Sequence, residues 1–412
     1  MTTENREQAA ANRRALLKAA AGCGMMTNTS LLATLLNLQA TKALAGETGV
    51  GGYKALVCLF LFGGNDSWNV LMPLDGDPTT GEYGDYHAVR GGYDDGTNNA
   101  GGLALEQSTL LPIAGPGGRG FGIHPGMPEV QSLYNSNKLA FISNVGSLNR
   151  PTTRAEYNAN TLGARPIGLF SHADHQRHWM TSVPDTRSQV TGWGGKMADM
   201  LTSTNLNPAV SMNISTNGVN LFQAGNTVVP YSIGSGYNNG SNPSDPLNGN
   251  NPATQVSGYN SDNGNYNAGS LRDQIFSRNI DSFLGQTYGN LLAQSMANTT
   301  RGSVDAAIDF NAAVNSIVLN TTFDNQDLSR RLRVIAKVIG AQSALQQSRQ
   351  VFFVSIGGWD NHSGLINAHN VNLPRVSRAI GSFYDAMVEL GVQNDVTLFT
   401  ASDFARTLGT NG

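Results

Sequence analysis

Phe60-Leu61-Phe62-Gly63-Gly64-Asn65-Asp66 closes an apolar run that begins at Lys54, and its form recurs twice further along the chain. Phe352-Phe353-Val354-Ser355-Ile356-Gly357-Gly358-Trp359-Asp360-Asn361-His362 and Thr397-Leu398-Phe399-Thr400-Ala401-Ser402-Asp403 are likewise short, apolar and ended by an acidic residue. The run at residues 54–62 is too short for a typical helix, and unbroken apolarity bounded by Gly-Gly is the pattern of a parallel strand buried on both faces. In an open sheet with helices on both sides, the carboxyl ends of parallel strands face one crevice. Asp66, Asp360 and Asp403 are therefore expected to converge there. The fold class expected is α/β, with a doubly wound, mostly parallel sheet.

Working outward, residues 350–356, a helix at 373–390 and residues 396–400 form a β-α-β unit, whose crossover should be right-handed. Residues 138–145 read as a further buried strand, preceded by a helix over 127–135 begun by Pro125. A helix over 166–180 has Ser171 near its start, where a hydroxyl accepts from a free backbone N–H. Helices are also expected over 271–297 and 327–347; in the second, Leu328, Leu332, Ile335, Val338 and Ile339 make one apolar face. Residues 75–120, rich in Gly, Asp and Asn, read as a surface excursion. Residues 232–269, mostly Asn, Gly and Ser, cannot bury a core and read as an exposed insertion.

Charged residues are 13% of the 412, against roughly 25% in an average soluble domain. The net charge is −3 and no basic block lies beyond the first residues, so nucleic acid is not an expected partner. Asn12-Arg13-Arg14-Ala15-Leu16-Leu17-Lys18, a mildly apolar stretch over 19–36 and Ala43-Leu44-Ala45 have the form of a twin-arginine export signal cut after Ala45. Residues 1–45 are then the signal, 46–412 a single domain, the twin-arginine translocase a partner, and the periplasm or exterior the destination. A cytosolic N-terminal helix and a lipoprotein site at Cys23 are the alternatives. A stable membrane span is not expected, because Thr27, Asn28, Thr29 and Ser30 break the run. With the signal removed, Cys58 is the single cysteine, so no internal disulfide is expected.

Asp360 and His362 lie two apart, so in an extended segment both side chains leave on the same side. Carboxylate and imidazole suit zinc, manganese or iron. The bland alternative makes Asp66, Asp360 and Asp403 caps of the helices that follow. His172, His175 and His178 are spaced by three, which makes neighbouring pairs on a helix. Pro151-Thr152-Thr153-Arg154 sets hydroxyls beside a cation. A metal-activated hydroxyl with an arginine to hold an oxyanion is what phosphoryl or sulfuryl transfer requires; an ordinary helix cap is the alternative.

Together, Leu61-Phe62-Gly63-Gly64-Asn65-Asp66-Ser67-Trp68-Asn69, Pro151-Thr152-Thr153-Arg154, Leu169-Phe170-Ser171-His172, Gly192-Trp193-Gly194-Gly195, Gly358-Trp359-Asp360-Asn361-His362 and Ser402-Asp403-Phe404-Ala405-Arg406-Thr407 resemble the exported bacterial family called domain of unknown function 1501, placed in the alkaline phosphatase-like superfamily. The resemblance implies an alkaline phosphatase-like sheet with a two-metal hydrolase site at the strand ends. Asp66, Asp360, His362 and Asp403 would be metal ligands, for zinc, manganese, magnesium or calcium. Thr152 or Thr153 would be the nucleophile, with Ser171 as runner-up and Arg154 beside it. The substrate would be a small-molecule or polysaccharide ester of phosphate or sulfate; the cysteine-two-before-proline pattern of exported sulfatases is absent. Relatives continue into an Asp-His stretch and a final ligand histidine, whereas this sequence stops at Asn411-Gly412. The expectation is a fragment, or a protein short of one ligand. A non-catalytic exported binding or cell-surface protein on the same scaffold is the second reading.

Overall fold

The computed structural model describes residues 52–94, 101–233, 279 and 282–409. Its main element is a five-stranded sheet in the order β6-β5-β7-β1-β8, with β1 at Lys54–Leu61, β5 at Asn213–Ser215, β6 at Tyr231–Ser232, β7 at Arg349–Ile356 and β8 at Val396–Ser402. Every pairing in it is parallel, and β1 lies between β7 and β8. A second, antiparallel sheet has the order β2-β4-β3, from Leu71–Pro73, Gly120–Ile123 and Leu111–Ala114.

The continuous apolar character of β1 has the expected cause. Val57, Leu59 and Leu61 point into one core cluster, which also takes Leu332, Ile335 and Ile339 from the Asp327–Gly340 helix and Leu373, Val376 and Phe383 from the Leu365–Glu389 helix. Cys58 and Phe60, on the opposite face, join a second cluster with Met180 and Ala198 from the His172–Thr181 and Trp193–Leu201 helices. Side chains alternate across a strand, so a strand covered on both faces needs apolar residues at every position. The α/β class and the mostly parallel sheet are thus present.

Six expectations need correction. Residues 75–120 are more than a surface excursion: they carry the Gly81–Val89 helix and β3, and Tyr83, Tyr86, Leu105 and Leu110 are buried with Met72 in a third core cluster. The helix expected over 327–347 ends at Gly340. Residues 138–145 are not a strand: they lie outside both sheets, with Ile142 at 84% exposure. The helix expected from 166 begins at His172, because Ser171 takes the cap position and Phe170 sits at φ +72°. The helix attributed to Pro125 starts at Pro128, which needs no N–H at that position. The helix expected from 373 starts at Leu365 and runs through Pro374. The insertion at 232–269 lies outside the described residues apart from Ser232 and Ile233, and the signal at 1–45 lies outside them altogether; of the helix expected at 271–297, the described part belongs to the Leu291–Asn315 helix from Leu291 on.

Candidate functional site

The ends of β1, β7 and β8 are neighbours, and hydrogen bonds tie the turns that leave them. The Ser402 hydroxyl donates to the Leu61 carbonyl at 2.6 Å and accepts from the Asn65 N–H at 2.8 Å. Gly63 follows β1 at φ +120°, and a Cβ there would lie 2.4 Å from the backbone nitrogen of Asp360. Only glycine lets the two turns approach so closely. Gly64 does the same for the Phe404 ring, which packs against His172 and His175 at centroid distances of 4.9 and 5.4 Å.

Within this junction the side chains form a connected polar group. Asp403 is fully buried; its Oδ2 accepts from the Gly63 N–H at 3.2 Å and from the Gln176 amide at 3.0 Å, and lies 2.8 Å from His172 Nδ1. A carboxylate oxygen that takes two N–H donors acts as an acceptor toward the third group as well, so His172 donates through Nδ1. Its Nε2 then faces Asp360, whose Oδ1 is 3.5 Å away. The same Asp360 oxygen is met by His362 Nε2 at 3.0 Å and by the Arg406 guanidinium at 2.8 Å. His172 and Asp360 are partly exposed and His362 largely so, which makes this a surface-facing cluster on a buried base. The indole of Trp68 borders it, donating to the Arg406 carbonyl at 2.8 Å.

His172 and Gln176 reach Asp403 together because residues four apart share a helix face. That helix is set by the Ser171 cap, which accepts from the Asp174 N–H at 3.3 Å. The Phe170 N–H donates to His175 Nε2 at 3.0 Å, and burial holds the His175 pKa below its ordinary value, so His175 supports the turn as a neutral acceptor. His178 is buried away from the cluster, and desolvation lowers it to about 4.

Of the residues singled out from sequence, Asp360, His362 and Asp403 come together, while Asp66 has another role. Asp66 is fully buried in an ion pair with the equally buried Arg90, and it caps a short helical turn by accepting from the Trp68 N–H at 3.3 Å. The capping alternative is therefore correct for Asp66. Desolvation raises the Asp66 carboxyl above its usual range, with Arg90 pulling it back. Thr152 and Thr153 make no bond to the cluster. The Thr152 hydroxyl donates to the Arg150 and Ala164 carbonyls at 2.9 and 3.2 Å, while Thr153 forms a capping box with Glu156 at the head of the Arg154–Asn158 helix. Arg154 is exposed on that helix, and Ser171 is a cap rather than a member of the cluster. Among the described residues, no three His, Cys, Asp or Glu side chains are placed to hold a metal ion. Arg90, Gln176 and Arg406 were missed; the signal for Gln176 was its four-residue offset from His172, and for Arg406 its place three after Asp403.

The architecture is that of a parallel α/β protein whose polar cluster sits at the carboxyl ends of adjacent strands, the usual place for a binding or catalytic site in this class. The chain belongs to the family described as Protein of unknown function (DUF1501), whose model matches residues 53–412. No curated protein and no solved structure matches it. No helix among the described residues is long and apolar enough to cross a membrane.

Proposed function

We propose that the chain is an exported hydrolase of phosphate or sulfate esters, with His172 as general acid–base and Asp403 as the buried carboxylate that orients it. The observation that carries this reading is the bond of His172 Nδ1 to the fully buried Asp403 at 2.8 Å, which leaves Nε2 turned toward the partly exposed Asp360, 3.5 Å away. A buried carboxylate that fixes tautomer and ring orientation is the arrangement that makes an imidazole an effective base. Nε2 would take a proton from a water as its oxygen bonds to phosphorus or sulfur. The same proton would pass to the ester oxygen as the bond from that oxygen to phosphorus or sulfur breaks, so that the alcohol leaves neutral. The Arg406 guanidinium, beside Asp360, supplies positive charge toward the transferred anionic group. Export rests on the Arg13-Arg14 segment and the Ala43-Leu44-Ala45 site, and an alkaline phosphatase-like fold on the family motifs; the parallel sheet is consistent with that fold.

Divalent-metal dependence enters the proposal on donor chemistry alone. Asp360, Asp403, His172 and His362 are ligand types that zinc, manganese, magnesium or calcium sites draw on. As arranged they do not form a three-ligand set, so no step is drawn through an ion. That same observation favours the second reading, a non-catalytic exported binding or cell-surface protein on this scaffold. Purified protein is to be assayed on aryl phosphate and aryl sulfate, with each of the four metals and without. The hydrolase reading expects product release that falls about 100-fold or more in His172→Asn and in Asp403→Asn. Folded protein that releases neither product under any condition overturns it in favour of the scaffold. Stoichiometric metal that is lost on Asp360→Ala establishes the metal dependence.

A further inference from the structure

The turn after β1 holds Trp68 in surroundings unlike those of the other three tryptophans. Trp359 is fully buried in the core cluster of Val57 and Leu59, and Trp179 and Trp193 pack against the second cluster. The Trp193 ring lies 4.6 Å from that of Phe222 and 5.7 Å from that of Phe399. Trp68 packs in none of the core clusters, and among the described residues no aromatic ring or guanidinium lies on its face. It is 39% exposed. Tryptophan is highly buried on average, so an indole left in water beside a polar cluster is a feature to account for.

Trp68 is nonetheless held at both ends. Its backbone N–H donates to the buried Asp66 at 3.3 Å, and its Nε1 donates to the Arg406 carbonyl at 2.8 Å. The groups beside it keep unused hydrogen-bonding capacity. Asp360 meets His362, Arg406 and His172 through Oδ1 alone, and its Oδ2 makes no hydrogen bond among the described residues. Arg406 meets Asp360 and the Trp359 carbonyl through Nη2, at 2.8 and 3.4 Å, and its Nη1 makes none among them. An aromatic face beside a carboxylate acceptor and a charged donor matches the two sides of a pyranose ring. One side offers C–H groups whose partial positive charge suits the negative face of an indole, and the edge offers hydroxyls that each donate and accept. A flat aryl group would cover the indole and leave the carboxylate and guanidinium edge unmatched, and an alkyl chain would set methylenes against it.

We propose that Trp68, Asp360 and Arg406 form a saccharide subsite, with a pyranose ring stacked on the indole and its hydroxyls bonded to Asp360 Oδ2 and Arg406 Nη1. Trp68 then determines specificity: it selects the alcohol part of a substrate and takes no part in bond cleavage. The platform for the ring rests on the geometry of these three residues. That the ring carries a phosphate or sulfate ester, with the anionic group sharing Arg406, rests on the hydrolase reading.

The test is calorimetric titration of the full chain with the methyl pyranosides of glucose, galactose, mannose and glucosamine and with their phosphate and sulfate monoesters. Aryl phosphate, adenosine monophosphate and inorganic phosphate are titrated beside them. The proposal expects at least one pyranoside to bind more tightly than any of these three, and Trp68→Ala to weaken that binding about 10-fold or more. Trp68→Phe keeps an aromatic face, so it should retain part of the affinity while losing the change in tryptophan fluorescence that the ligand causes in the wild type. That pairing separates stacking on the ring from a merely structural role for Trp68, and it stands even where the alanine variant unfolds. No binding by any pyranoside, equal affinity in a folded Trp68→Ala, tighter binding of the aryl or adenosine phosphate, or a fluorescence change that persists in Trp68→Phe each overturns the proposal. A neutral pyranoside has no ester to lose, so its binding is read without turnover. Aryl-ester hydrolysis without sugar binding removes this inference alone, and sugar binding without hydrolysis removes the hydrolase reading alone.

Discussion

Arg90→Met tests whether Asp66 is a structural anion or a ligand in waiting. Arg90 and Asp66 are both fully buried, and Arg90 also donates to the Thr407 and Leu408 carbonyls at 3.3 and 3.1 Å. Methionine keeps much of the volume and removes the charge. Asp66 would then keep the Trp68 N–H at 3.3 Å as its bonded donor, and burial already pushes its carboxyl upward against the pull of Arg90. Removing one partner of a buried ion pair costs about 3–5 kcal/mol, because the other charge is left uncompensated. The pH dependence has a definite sign. Without Arg90 the folded pKa of Asp66 climbs further above its unfolded value, so the folded variant binds the proton more tightly than the unfolded chain. The deficit therefore grows as pH rises out of the carboxyl range and shrinks as pH falls back into it. Urea unfolding of wild type and variant at about pH 5 and about pH 8, with the slopes checked for equality, measures this. Asp66→Asn added to Arg90→Met should restore part of the loss at the higher pH, since a neutral amide replaces a lone buried charge. A deficit below about 1 kcal/mol, or one that is larger at the acid pH, refutes the reasoning. Recovery by added zinc or manganese without the second substitution would instead show Asp66 acting as a ligand.

Two further outcomes follow from the same structure. Ser171→Ala removes a helix cap and should cost about 1 kcal/mol in urea unfolding; if the hydrolase reading holds, kcat for the aryl ester should stay in place, and loss of turnover without loss of stability would make Ser171 a nucleophile after all. His124 and His369 are buried, and desolvation lowers them to about 4 and about 3. Bases with depressed folded pKa values leave the fold holding fewer protons than the unfolded chain once pH drops below about 6.5, so stability present above that pH is lost on the way down to about 4 and then about 3. The loss from His124 alone is on the order of 3 kcal/mol, and His124→Gln and His369→Gln should flatten the acid limb of the midpoint-against-pH curve.

The parts of the fold legible in the sequence are those whose burial is two-sided. β1, β7 and β8 are bounded within a residue or two of the expected limits, because a strand covered by helices on both faces shows no periodicity to misread and stops at Gly-Gly or at a polar turn. Residues 138–145 carry the same pattern and lie elsewhere, since composition states what a segment can bury and not which edge receives it. The helix expected over 373–390 starts eight residues earlier, at Leu365, and contains Pro374, a residue that disfavours helix at the position before it. At the site, Asp360, His362 and Asp403 were visible as strand-end acids and a neighbouring imidazole. Arg90 was not, because it lies in a Gly- and Asp-rich stretch that reads as surface, yet it is buried at the end of the Gly81–Val89 helix in its ion pair with Asp66. The spacing of His172, His175 and His178 showed neighbouring pairs but not which ring would face Asp403, a choice made by how the helix packs on β8.

Charge bookkeeping at the strand ends narrows what the cluster can accept. Asp66, Asp360 and Asp403 end three adjacent strands, and two guanidiniums answer them: Arg90 pairs with Asp66, and Arg406 pairs with Asp360. Asp403 has no arginine; it is met by a backbone N–H, an amide and His172, and its Oδ1 is buried without a partner. Asp403 is therefore held by N–H donors, His172 Nδ1 among them, while Asp360 has the Arg406 guanidinium beside it. On the hydrolase reading, an anionic ester approaching Asp360 meets a carboxylate first and would bind by sharing the Arg406 guanidinium beside it. That route passes through Arg406 and not through His362, which is largely exposed and lies 3.0 Å from the Asp360 oxygen. Substitution of Arg406 should consequently remove binding of an anionic ester, and His362→Gln should leave most of it.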